Sequence, residues 1–299
     1  MGWLIASVGP GELMAIGSSF TFAASQAFIR QGMRSATPLA AALAINLSVA
    51  LGGLILSLWD GTLLASTLPP LLWYAAVGVI GPGLGRITAY IGMVRMGMSR
   101  STTISSATPI WGTLAAIAIL GEAPGAMVLL GTLGIVGGVV LLSLRGEKSE
   151  RFGSWFRGAL IYPLICSVAY ALPPVFAKLA YAHQATPAVG MAVSFTVGNI
   201  VLLAGRRLIP GRGRISADAR AWPWLALAGA AGVASSLLLW TAFTLASVST
   251  ALPLSRIAPV WVLLISYLFM GRLERITRRD AAATLLVVAG GVLITAFRG

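Results

Sequence analysis

Apolar residues run along this chain in blocks of about twenty, separated by short polar or basic interruptions. A helix needs roughly 20 mostly apolar residues to cross the hydrocarbon core of a bilayer. Ten stretches reach that length: residues 9–29, 37–58, 71–94, 101–120, 125–144, 158–181, 187–206, 222–246, 249–270 and 281–297. Lipid offers the backbone no hydrogen-bond partners, so only helices or closed barrels span it. Alternating strands with long polar loops are absent, which argues against a porin-type barrel. The pattern predicts an all-α membrane protein with ten transmembrane helices. The first block has no basic residue before it and leads directly into a second, so it reads as a retained helix and not a cleaved signal; no amphipathic transit segment is visible.

Composition agrees with the pattern. The chain of 299 residues is 58% hydrophobic and only 10% charged, more apolar than a soluble domain can bury within itself. Its net charge of +13 would suggest nucleic acid in a soluble protein. Here the basic residues sit in short loops between apolar blocks, so no nucleic-acid partner is expected and the charges read as topology signals. The single cysteine, Cys166, falls inside the sixth block, which leaves no disulfide and no multi-cysteine metal site within the chain.

The odd-numbered connections carry seventeen Lys and Arg residues and the even-numbered ones a single Lys178. Short basic loops are retained on the cytoplasmic side. The expectation is a multi-pass protein of the bacterial inner membrane with both termini periplasmic; the uncharged start agrees and Arg298 weakly opposes. Trp59, Trp73, Trp155, Trp222 and Trp224 lie near block ends, where Trp commonly anchors at the interface.

The chain also repeats itself. "AFIRQGMRSATPL" from Ala27 aligns with "VFAKLAYAHQATPA" from Val175, "SATPIWGTLAAIAILGE" from Ser106 with "RIAPVWVLLISYLFMGR" from Arg256, and "GIVGGVVLLSLRG" with "LVVAGGVLITAFRG". Two five-helix repeats follow, residues 1–146 and 158–299, joined by a basic cytoplasmic linker at 147–157. Five spans per repeat force the second copy to enter from the opposite side, giving two inverted five-helix repeats. The basic loops agree, following spans one and three of the first copy but two and four of the second. Two similar units of opposite orientation can exchange conformations around a central site, the mechanical basis of alternating access.

On these motifs the chain resembles the EamA family of the drug/metabolite transporter superfamily over its whole length, nearest the bacterial amino acid exporters, including the aromatic type. The resemblance implies ten helices, alternating access and small organic substrates. One departure is that the first copy has Gly121-Glu122 where the second has Gly271-Arg272, with Glu274 two residues on.

Polar groups inside the blocks are the candidate chemistry. Arg256 lies about 10 Å deep, seven residues at 1.5 Å each, and a central Arg costs about 2.5–3.5 kcal/mol to insert. Either its guanidinium holds a substrate carboxylate bidentately, or it snorkels outward or bonds the Ser255 carbonyl that Pro259 cannot serve. Arg86, in "GPGLGRITAY", is the second buried cation and a substrate or gate candidate. The preceding Gly81-Pro82-Gly83 breaks helix regularity and reads either as a hinge or, through Gly81 and Gly85, as a close packing surface. Pro109 and Pro259 are the corresponding hinge candidates in spans four and nine. Trp111 and Trp261 are equivalent by the repeat, as are Tyr90 and Trp240, and such aromatics either line a cavity or pack the bundle. Ser19 and Gln26 in span one and Tyr170 in span six add hydrogen-bonding groups, with interhelical bonding the alternative role.

No Asp or Glu lies deep in any span; Glu12 sits at the start of the first, where the helix dipole favours it. Multidrug cation antiporters of the superfamily need an intramembrane carboxylate, so a zwitterionic or anionic substrate suits this chain better than a lipophilic cation. His183 reads as a loop residue. Gly131, Gly134, Gly137, Gly138, Gly290 and Gly291 recur in spans five and ten and read as packing, or as a dimer contact. The leading expectation is a carrier exporting amino acids or similar small metabolites, as monomer or homodimer, with efflux of nucleosides, sugar conjugates or drugs as the competing reading. Neither a channel nor an intramembrane enzyme fits as well: no nucleophile–base pair, metal cluster or paired carboxylates are found, and no cofactor or metal is expected.

Overall fold

The computed structural model of the chain describes residues 8–143, 159–209, 213–261, 264 and 278–297. The basic linker at 147–157, Trp155, Arg272, Glu274 and the second half of the ninth block lie outside the described residues, as do the side chains of Arg278 and Arg279. The described chain is helical: α1 (Pro10–Gly32), α2 (Pro38–Trp59), α3 (Leu68–Gly78), a π-helical segment (Val79–Gly85), α4 (Arg86–Met96), α5 (Met98–Ser105), α6 (Thr108–Leu120), α7 (Ala126–Ser143), α8 (Ile161–Tyr181), α9 (Pro187–Ala204), α10 (Trp222–Leu245), α11 (Val248–Ser255) and α12 (Arg278–Ala296). Proline in the first turn, where no intrahelical N–H is required, opens α1, α2, α9 and α10. Left-handed Gly121 (φ 68°) closes α6.

Among the described residues six helical stretches are both long and apolar enough to cross a membrane: Pro38–Trp59, Leu68–Met96, Arg100–Leu120, Ile161–Tyr181, Pro187–Leu208 and Ala219–Leu245, with shorter apolar helices at Ala126–Leu142 and Ala281–Ala296. The 23-residue α1 has the length, but its serines, threonine and glutamine lower its apolarity. Leu47, Ile55, Leu72, Leu133, Ile200 and Leu285 are each more than half exposed, a surface that suits acyl chains and not water.

Two predicted spans are not continuous. Span four breaks at Ser106–Ala107 into α5 and α6, and span nine breaks at Arg256–Ile257. The cause is the same at each place. Pro109 and Pro259 have no N–H to return to Ser105 and Ser255 four residues back, so the ladder opens there. At the second break the Arg256 amide bonds the Pro253 carbonyl at 3.0 Å instead.

Packing follows a two-fold scheme. Each principal contact joins the two halves: α1–α10 has its counterpart in α3–α8, and α6–α8 has its counterpart in α11–α1, while α2–α9 and α7–α12 pair equivalent helices directly. Loops sort by parity. The first connection meets the seventh, with Thr37 N donating to Ser216 O (2.8 Å) and Asp218 N to Ser35 O (2.9 Å). At the other end the second connection meets the sixth, with Gln184 Nε2 donating to Ala65 O (3.2 Å). The glycines of spans five and ten pack within the chain: a Cβ at Gly131 would sit 2.6 Å from the Gly290 carbonyl, whereas Gly137 faces open space.

Candidate functional site

Both broken helices open onto one cavity of about 310 Å³. Its walls come from both halves: Ser18 of α1, Ser105 and Ser106 at the first break, Ser235 of α10, and Ser255 and Arg256 at the second. Pro109 and Pro259 both line it. Breaking a helix exposes backbone groups only where they border a cavity or packed protein, and that is where both breaks occur.

Arg256 occupies the end of α11, with its Nε buried and without a partner among the described residues. Its guanidinium carbon stands 6.0 Å from the centre of the Tyr170 ring, a cation–π arrangement from α8. Arg86, first residue of α4, lies beside the phenols of Tyr170 and Tyr90, and its Nε is likewise buried and unpartnered. Tyr90 donates to the Pro38 carbonyl at 3.0 Å. The π-helical segment before Arg86 contains Gly81, Pro82 and Gly83, and it packs tightly: a Cβ at Gly81 would fall 2.8 Å from Pro173, and one at Gly83 2.7 Å from Val201. Irregular backbone and close packing therefore coexist there.

The predicted aromatics divide. Trp261 donates its indole N–H to Ser19 Oγ at 2.8 Å and meets Phe20 edge-on at 5.5 Å, tying the helix after the second break to α1. Trp111 is 39% exposed and does not line the cavity. Trp240 is packed against Tyr74 and Tyr181, with ring centres at 5.7 and 6.4 Å, and fills the space left by Gly190. Gln26 is exposed on α1. His183 is exposed, and Glu12 is buried in the first turn of α1.

Two groups at the site, Ser106 and Ser235, were not singled out in the sequence. Ser106 occupies the position equivalent to Arg256 at the repeat shift of 150, so the repeat alone could have found it. Ser18 and Ser235 clasp each other across α1 and α10, each hydroxyl donating to the other's carbonyl at 2.9 Å. Glu122 accepts from the amides of Val248 and Ser249, and together with Lys178 it borders an open vestibule of about 500 Å³. Among the described residues no group of three or more His, Cys, Asp or Glu could hold a metal.

Comparison with known proteins places this architecture. A solved crystal structure of another protein superposes with a TM-score of 0.77 over 95% of each chain at 16% identity, a likeness of fold. No curated protein matches the sequence. The profile of the EamA-like transporter family matches twice, over residues 9–144 and 157–296, which is nearly the whole chain in two repeats. The chain belongs to the EamA-like transporter family, within the drug/metabolite transporter superfamily, and is a multi-pass membrane transporter of small molecules.

Proposed function

We propose that this protein is an alternating-access carrier that exports amino acids or similar small zwitterionic or anionic metabolites across the bacterial inner membrane. The observation that carries the reading is Arg256: a guanidinium at a helix break, bordering a cavity shared by both halves, with a buried Nε that no group among the described residues satisfies. A permanent charge inside the bilayer is retained against a cost of about 2.5–3.5 kcal/mol, and a carboxylate is the group that pairs with it best. The swapped contacts of the two halves support ten spans in two inverted repeats, the arrangement that gives two states of similar energy.

The loop contacts by parity support a single crossing per span, and the basic odd connections then face the cytoplasm, with both termini outside. Among the described residues the cavity has no Asp or Glu in its lining, which disfavours lipophilic cations. Reconstitution in liposomes with radiolabelled amino acids tests the reading. Uptake or exchange of at least one amino acid or organic acid is expected, and it is lost in Arg256→Gln. Transport of a nucleoside, sugar conjugate or drug with none of any acid overturns the substrate assignment.

A further inference from the structure

We infer that the site is built for a solute carrying two acidic groups, held one at Arg256 and one at Arg86, with Tyr170 standing between them. This rests on the carrier reading and narrows its substrate class to dicarboxylates, acidic amino acids included.

The two arginines form one cluster. Tyr170 lies under Arg256 and beside Arg86, and Cys166 is close enough to feel both charges. The groups acting on either guanidinium are phenols and a thiol; among the described residues neither pairs with a carboxylate. Among the described residues both Nε atoms are buried without partners. Like charges gathered in a low-dielectric interior repel, and an anion of matching charge that joins the pair during the cycle relieves that cost. A monocarboxylate answers one of the two, and the ammonium of a neutral amino acid adds a third positive charge.

The cluster also joins the halves. Arg86 belongs to the first repeat and Arg256 to the second, and neither is duplicated: their equivalents at the shift of 150 are Ser236 and Ser106. A ligand with an acid at each end therefore bridges the two units whose relative motion is transport. Arg256 borders the cavity directly, while Arg86 lies behind Tyr170. The first acid docks on Arg256 and the second replaces the Tyr170 phenol at Arg86. The cavity, at the lower end of small-molecule sites, suits a short diacid.

The test compares matched pairs on the detergent-solubilised full chain: succinate with butyrate, glutarate with valerate, and glutamate with leucine, read as ligand-dependent thermal stabilisation. The diacid member is expected to act at about tenfold lower concentration, since its absence leaves a buried charge unpaired. Arg86→Gln should erase that difference while leaving the monocarboxylate response, and Arg86→Lys should restore part of it. Equal responses of wild-type protein to both members of every pair overturn the proposal whatever the variants do, and so does an Arg86→Gln protein that keeps the preference. The broader carrier reading fails separately, when no acid or amino acid of any kind is moved in liposomes while another solute is.

Discussion

The carboxylate of Glu122 accepts the backbone N–H of Val248 at 2.7 Å, and its second oxygen takes that of Ser249 at 2.9 Å. Glu122 follows α6 in the first half, whereas Val248 opens α11 in the second. The bonds satisfy amides that a helix start leaves free, and they place negative charge at the positive end of its dipole. Arg256 ends that same eight-residue helix. One residue of the first half thus fixes the segment that aims the buried cation of the second.

Removing this cap has a measurable cost. Glu122→Ala should lower stability by about 0.5–2 kcal/mol, the range for lost helix caps. It should also weaken carboxylate binding, because α11 loses its anchor. Thermal unfolding in detergent with and without ligand measures both, and an unchanged melting temperature would show that water replaces the carboxylate at no cost.

Arg256 should separate stability from function. Arg256→Leu removes a charge buried without a carboxylate, so the protein should unfold at an equal or higher temperature while transport falls to background. A variant both inactive and strongly destabilised would assign Arg256 a structural role through Tyr170.

The α7–α12 contact depends on the missing side chain at Gly131. A Cβ there would meet the Gly290 carbonyl at 2.6 Å, and backbone cannot move aside as a side chain can. Gly131→Ala should cost about 1–3 kcal/mol through overpacking, whereas Gly137→Ala, which faces open space, should be near neutral. Equal melting temperatures for the two variants would contradict the packing.

The paired breaks make a kinetic prediction. Pro109→Ala and Pro259→Ala return an N–H to Ser105 and Ser255 and favour continuous helices. Each variant should fold and bind substrate, but its maximal transport rate should fall more than its apparent affinity. Tracer exchange in liposomes over a substrate range separates the two effects, and an unchanged rate would remove the breaks from the transport cycle.

Apolar block length set the approximate limits of the long helices, because bilayer thickness imposes one length on every crossing whatever its neighbours are. The shift-150 repeat paired Pro109 with Pro259 and Trp111 with Trp261 on sequence grounds, and the two buried arginines stood out because an uncompensated charge in an apolar block is rare. What remained undecided was direction. Trp261 turned to Ser19 and Trp240 into a cluster with Tyr74 and Tyr181, while Trp111 and Gln26 stayed exposed. A helix that is apolar all round carries no stripe to mark its inner face, so only the packing of one helix on another assigns the sides. The same holds for Glu122 and Val248, 126 positions apart: a hydrogen bond between distant segments leaves no periodic signature, and it exists only once the two halves have come together.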